Sequence, residues 1–154
     1  MSVVEVAVER FDNGHSCSQA VFTALAEPMG LGYETAVKIA SGFGGGMGRM
    51  GATCGAVTGA FMALGLRCGG AESEAKEETC RLVNRFVGKF RERHGSLECR
   101  DLIGCDLSTE EGRQQAHDKD THNTVCTGLV RDAVEIVEEL IGEGAEFRTG
   151  DNPG

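Results

Sequence analysis

The chain reads as an all-α domain, and three observations carry that reading. Aromatic residues make up only 5% of its 154 residues and prolines number two, while alanine, valine and leucine are plentiful, which favours packed helices over a sandwich or barrel. Between Glu72 and His94, Ala75, Thr79, Leu82, Val83, Phe86, Val87 and Phe90 form one continuous stripe at helical spacing. Serine-led capping signatures precede other apolar runs. A chain of this length suits a single domain burying about two thirds of its unfolded surface. We expect a bundle of about six or seven helices around a glycine-rich central helix, filling residues 1–141, with 142–154 as a flexible tail.

The first helix spans residues 3–11, where Val4, Ala7, Val8 and Phe11 fall on one face. Asn13-Gly14 makes a turn. Ser16 and Gln19 then have the form of a capping box, which sets Cys17 in the first turn of a second helix through Ala20, Val21, Ala24 and Leu25. Pro28 to Gly32 ends it, and Tyr33 to Ala40 forms a short third helix.

The stretch Ser41 to Leu66 organises the rest. Gly42, Gly44, Gly45, Gly46 and Gly48 read as an irregular loop, since a residue without Cβ tolerates positive φ and close approach. From Met50 a fourth helix is expected, with Gly51, Gly55 and Gly59 at i, i+4, i+8 beside Ala52, Ala56, Ala60 and Ala63 as a smooth face. Each helical glycine costs roughly 0.5–1 kcal/mol relative to alanine, so a tightly packed partner is implied. Cys54 lies near the start of this helix, with Thr53 as its candidate cap.

Other readings of this stretch fare worse. Gly46, Gly48 and Gly51 satisfy G-x-G-x-x-G, but the preceding TAVKIA is a poor buried strand and no acid-ended second strand follows, which disfavours a dinucleotide site. No Gly-Lys-Ser/Thr closes the run as a P-loop would require. Met50 to Leu66 falls short of the ~20 apolar residues of a membrane helix, so it is expected to be buried in a soluble domain, with no membrane partner.

The long helix Glu72 to His94 has acids at its beginning and Lys89, Arg91 and Arg93 at its end, matching the macrodipole, with Gly95 as terminator. Ser96 is read as the cap of a short helix with Cys99 in third position, closed by Gly104. Ser108 with Glu111 gives a capping box for a polar helix through His117. A last helix begins near Asn123, with Cys126 third and Leu129, Val130, Ala133, Val134, Val137, Leu140 and Ile141 facing inward.

The net charge of −9 is uneven. Residues 1–70 carry four Lys/Arg and five Asp/Glu, residues 71–154 eleven and nineteen, so nucleic acid is disfavoured as a partner. MSVVEVAVERF has acids where a signal peptide needs a basic flank, and a cytoplasmic location is the expectation. Seven cysteines are many for such a chain, and an odd number cannot all pair internally; reactive, metal-binding or buried thiols are favoured over structural disulfides.

Cys17, Cys54, Cys99 and Cys126 come from four separate helices and, by this reading, each from a first turn. Unpaired N–H groups and the positive dipole end there favour the thiolate, the species that attacks disulfides and binds soft metals. If the four helix starts meet, they build an anion-stabilising pocket beside a loop in which Gly44, Gly45, Gly46 and Gly48 can cradle an anion or substrate. For any one of the four, packing as a small hydrophobe is at least an even alternative. Cys68 and Cys80 are assigned to packing, and Cys105 is either a resolving thiol or unused. His15, His94 and His122 precede Cys17, Cys99 and Cys126 closely, although solvent exposure is the commoner fate of such loop residues. A zinc finger is disfavoured because no C-x-x-C pair exists.

These residues resemble the C_GCAxxG_C_C family of redox-active proteins. The resemblance runs from about Asn13 to Val130 through Cys17-Ser18-Gln19-Ala20-Val21, the Gly42 to Met47 run, Cys54-Gly55-Ala56-Val57-Thr58-Gly59, Cys99-Arg100-Asp101-Leu102-Ile103-Gly104 and Cys126. One departure stands out: the family pattern sets cysteine directly before alanine, whereas here Gly55 separates Cys54 from Ala56. The resemblance implies an all-helical fold and a redox role for Cys17, Cys54, Cys99 and Cys126.

The leading functional reading is thiol-based redox chemistry, either thiol–disulfide exchange or electron transfer and compatible with a thiol-dependent oxidoreductase, with Cys17 and Cys54 as the reactive pair and Cys99 and Cys126 as resolving partners or co-ligands. Its partner would be a redox protein or a small-molecule oxidant or reductant. A second reading has the same four thiolates holding an iron–sulfur cluster or a soft metal, and a third makes the chain a structural or interaction protein with inert cysteines. A homodimer is compatible with the apolar positions of the terminal helices.

Overall fold

The computed structural model describes residues 1–148, with side chains through Gly142. It is all-α, as expected, with eight α-helices among the described residues against the six or seven anticipated. The first, α1 (Val3–Asp12), begins at a capping box in which Glu5 N donates to Ser2 Oγ at 3.1 Å and Ser2 N to Glu5 Oε1 at 3.0 Å. It buries Ala7 and Phe11. Helix α2 (Cys17–Ala26) carries the anticipated box, Gln19 N donating to Ser16 Oγ at 3.3 Å and Ser16 N to Gln19 Oε1 at 3.0 Å. Every residue from Ala20 to Ala26 is buried.

A 3-10 turn (Glu27–Met29) leads to α3 (Tyr33–Ile39), and a second 3-10 turn (Ala40–Phe43) opens the glycine loop. Gln19 Nε2 reaches Val37 O at 3.3 Å and Ser41 Oγ at 3.1 Å, while buried Ser18 donates to Ala40 O at 2.9 Å. The first turn of α2 thus fixes where the loop departs.

Gly45, Gly46, Met47, Gly48 and Arg49 all have positive φ, between 60° and 71°. Five consecutive left-handed residues are unusual, because each L side chain there costs roughly 1–2 kcal/mol, and here Met47 and Arg49 bear that cost. Arg49 N, Gly51 N and Ala52 N bond back to Gly44 O, Gly45 O and Gly46 O at 3.0–3.1 Å, closing the coil.

The fourth helix starts later than expected. Residues from Met50 to Cys54 are not helical: Thr53 bridges Glu98, Cys54 N donates to Leu97 O at 2.8 Å and Cys99 N to Ala52 O at 2.6 Å. Those bonds hold the segment extended, so α4 spans Gly55–Cys68 and Gly51, at φ 75°, stands outside it. Thr53 is not its cap; Cys54 takes that position without a side-chain capping bond. The close approach inferred from the glycines does occur, against α2: a Cβ on Gly59 would lie 3.0 Å from Ser18 O and 3.2 Å from Val21 Cβ. Helix α4 also packs on α5 (Ser73–His94) and α8 (Thr127–Arg148). The shared core includes Val21, Leu64, Phe86, Phe90, Val134 and Leu140.

Between α5 and α8 come α6 (Cys99–Ile103) and α7 (Glu110–Asp118). Cys99 is the first residue of α6, not the third, because the helix begins after Glu98; Ser96 bonds to Glu98 N and Asp101 instead of capping. Thr109, not Ser108, caps α7, accepting from Gly112 N at 2.9 Å, since Asp106 takes both the Ser108 amide and hydroxyl. The last helix is entered through a π turn, His122–Cys126, which makes Cys126 the final residue of a wide turn rather than part of a helix start. Helix α8 continues past Gly142, where a tail was expected, to Arg148; residues 149–154 lie outside the described residues. No helix among the described residues is long and apolar enough to cross a membrane.

Candidate functional site

The cysteines divide by environment. Cys68 is partly buried at the end of α4, and Cys80 is exposed on α5 instead of packed. Cys17, Cys54, Cys99, Cys105 and Cys126 gather where the start of α2, the glycine loop, α6 and the π turn meet. Cys17, Cys99 and Cys126 line one cavity of about 500 Å³ together with Gly44, Gly45 and Gly48. Gly46, expected to share that cradle, is buried behind it: a Cβ there would lie 2.6 Å from Ala52 N and 2.8 Å from Cys99 Cβ. Cys54 sits beneath Cys17, hydrogen-bonded to its sulfur. Cys105 packs with Cys99, Ile103 and Ala116 in a small satellite core that Cys126 joins.

Local sequence explains the placement of Cys17. The Ser16 box sets it at the first position of α2, where backbone N–H groups are not consumed within the helix. Its thiol is pulled down to about 7, chiefly by the Cys54 S–H; burial opposes this, and the Gly45, Ser18 and Cys17 N–H groups assist. Cys54 is pushed well above the ordinary thiol range by the same hydrogen bond, then by burial, then by the Cys17 charge. Above about pH 7 the pair therefore holds one proton between two sulfurs, with the charge on Cys17.

The expectation that every one of the four thiols gains thiolate character at a helix start is corrected. Burial dominates at Cys99, raised to about 11, and at Cys126, raised to about 12, with the Cys17 charge adding to both. Helix α6 has only five residues, and the π turn leaves Cys126 at its far end, so neither supplies a field strong enough to offset desolvation. Both thiols keep their protons near neutrality.

Of the histidines, only His122 lines the cavity, stacked on Phe11 with ring centroids 3.9 Å apart and with Nε2 3.3 Å from Asp12 Oδ1. His15 Nδ1 donates to Arg10 O at 3.1 Å, which leaves Nε2 to accept from the Tyr33 hydroxyl at 2.6 Å. His94 pairs with Asp132 at 2.8 Å. Among the described residues, no three His, Cys, Asp or Glu side chains are grouped to hold a metal ion. The four thiols expected to ligate a cluster share a neighbourhood, but Cys54 is engaged with Cys17 below the cavity that the others line.

Sequence reading missed Arg49, Arg113 and Thr121, which complete the cavity wall with apolar Phe11, Ile103 and Leu107. None carries a local signature. Arg113 is held by Nη1 donating to Leu107 O at 2.9 Å, and buried Thr121 bonds to Cys126.

A family model described as "Putative redox-active protein (C_GCAxxG_C_C)" matches residues 15–140. Neither a curated protein nor a solved structure gives a match.

Proposed function

Because this chain belongs to the C_GCAxxG_C_C family of redox-active proteins, we propose that it is a dithiol oxidoreductase in which Cys17 attacks and Cys54 resolves. The observation that carries the reading is the hydrogen bond from Cys54 to Cys17, backed by the N–H groups of Gly45 and Ser18. It stabilises one thiolate beside one thiol, the form a dithiol needs before it reduces a disulfide.

In the first step the Cys17 thiolate attacks a sulfur of a disulfide R–S–S–R; the S–S bond breaks, a Cys17–S–S–R mixed disulfide forms and RS⁻ leaves. Loss of the Cys17 charge removes two of the causes that keep Cys54 protonated, its hydrogen bond to the Cys17 thiolate and that thiolate's charge. Cys54 then passes its proton to the departing thiolate and attacks the Cys17 sulfur. The second RS⁻ leaves and a Cys17–Cys54 disulfide remains. Two electrons move from the protein dithiol to the substrate, and the resolving thiol is unmasked only after the first attack. Cys99 and Cys126, still protonated, line the same cavity and do not compete as nucleophiles.

The test is mass spectrometry of the oxidised protein together with pH-dependent alkylation of Cys17. We expect a Cys17–Cys54 crosslink, a mixed disulfide trapped on Cys17 in Cys54→Ala, and alkylation titrating near pH 7. Alkylation of Cys17 that titrates only above pH 9, with no such crosslink, overturns the proposal.

A further inference from the structure

The charge around the cavity is opposite to that of the chain. The protein holds 24 Asp and Glu against 15 Lys and Arg, yet the residues lining the cavity include Arg49, Arg113 and His122 and no carboxylate. Among the described residues, neither arginine is paired with an acid: Arg113 spends one N–H on Leu107 O, and Arg49 is exposed on the left-handed coil. A guanidinium offers five N–H donors in a planar fork that fits a carboxylate, so both retain donors for a ligand. Phe11, Ile103 and Leu107 supply apolar walls, and about 500 Å³ lies within the range of small-molecule sites.

We infer that the disulfide reduced at Cys17 is a small molecule bearing carboxylates, held by Arg49 and Arg113 with its sulfurs over Cys17. This rests on the Cys17 chemistry proposed above and adds the substrate class to it. The Cys17 thiolate itself repels an anion, but the two guanidiniums of the same wall outnumber the one negative sulfur. Placing cations in the wall of an otherwise acidic protein focuses anions into the cavity and turns cations away.

The test uses three disulfides that differ in charge: dithiobis(nitrobenzoate), an anion; dithiodipyridine, neutral; and cystamine, a cation. Second-order rates with the reduced full chain are each divided by the rate of a small reference thiol with the same disulfide. The normalised rate for the anion should exceed that for cystamine by about tenfold or more, and added salt should shrink the gap. Arg49→Gln and Arg113→Gln should each lower the anion-to-neutral ratio. Equal normalised rates for all three disulfides, or a preference indifferent to salt in the unaltered protein, overturn the substrate class and leave the Cys17 chemistry standing. If even dithiodipyridine reacts no faster than with the reference thiol, Cys17 is not activated, and both readings fall together.

Discussion

Gly55 and Cys17 stand in mutual contact across the α2–α4 crossing: a Cβ on Gly55 would lie 2.5 Å from the Cys17 sulfur. The absence of a side chain at the start of α4 is what lets Cys54, one residue earlier, lie under Cys17. In the family pattern the place before Ala56 belongs to cysteine, whereas here Gly55 holds it and the thiol stands one residue earlier, at Cys54.

Gly55→Ala should therefore displace Cys17. The added methyl meets Cys17 Sγ, Phe43 O at 3.1 Å and Ser18 N at 3.1 Å, and overpacking of this kind costs about 1–3 kcal/mol, more than the roughly 0.5–1 kcal/mol alanine returns in a helix. Gly65→Ala in the same helix meets nothing within 4 Å and should gain that smaller amount. Urea unfolding of both variants checks the sign. Destabilisation of equal size in the two would refute the contact.

Cys54→Ala should raise the Cys17 pKa from about 7 toward the ordinary thiol value near 8.5, because the strongest donor to its sulfur is gone. Cys54→Ser keeps a hydroxyl donor and should hold Cys17 closer to its native value. Absorbance of the thiolate against pH reads both. A serine variant as shifted as the alanine variant would point away from the hydrogen bond.

Stability should pass through a maximum at about pH 8, on the acid side of the ordinary thiol value, because three raised thiols oppose one lowered thiol. Cys17 ionises at about 7 in the fold and near 8.5 in the unfolded chain, so its contribution is present above 8.5 and fades as pH falls through 7. Cys99 and Cys126 are raised to about 11 and about 12 and Cys54 is raised as well, so their contribution is present below 8.5 and is lost as pH rises above it. Denaturant midpoints from pH 6 to 10 should trace this rise and steeper fall, and Cys126→Ala should make the fall shallower.

Gly46→Ala should cost about 2 kcal/mol or more. At φ 71° the backbone is left-handed, worth roughly 1–2 kcal/mol against any L side chain, and the methyl would also press on Ala52 and Cys99. Gly48→Ala, at φ 60° with nothing nearer than Gly42 O at 4.0 Å, carries only the conformational part. The difference between the two unfolding free energies isolates the packing of Gly46 against Ala52 and Cys99.

Features decided within a few residues were legible in the sequence. The Ser16–Gln19 box placed Cys17, and the stripe from Ala75 to Phe90 drew α5 to within a residue of its start. Features decided across the chain were not. Thr53 is extended because Glu98 pairs with it, a bond no local pattern announces, and that pairing delays α4 and brings Cys99 beside the glycine coil. Met47 and Arg49 adopt left-handed backbone that their own residue types disfavour, imposed by the glycines on either side. Ser108 and Thr109 compete for one cap, and Asp106 decides the outcome by engaging the serine. Arg49 and Arg113 become a pair only once the cavity exists.

The wide turn at His122–Cys126 holds one residue more than an α-helical path would use. Each residue of an α-helix advances by about 100° around its axis, so excising one from this turn would swing everything upstream by that angle relative to α8. His122 would then leave Phe11, and the chain entering from α7 would arrive on another side of the last helix. Chain length at this single bend, more than the identity of any side chain in it, sets which wall of the pocket is closed.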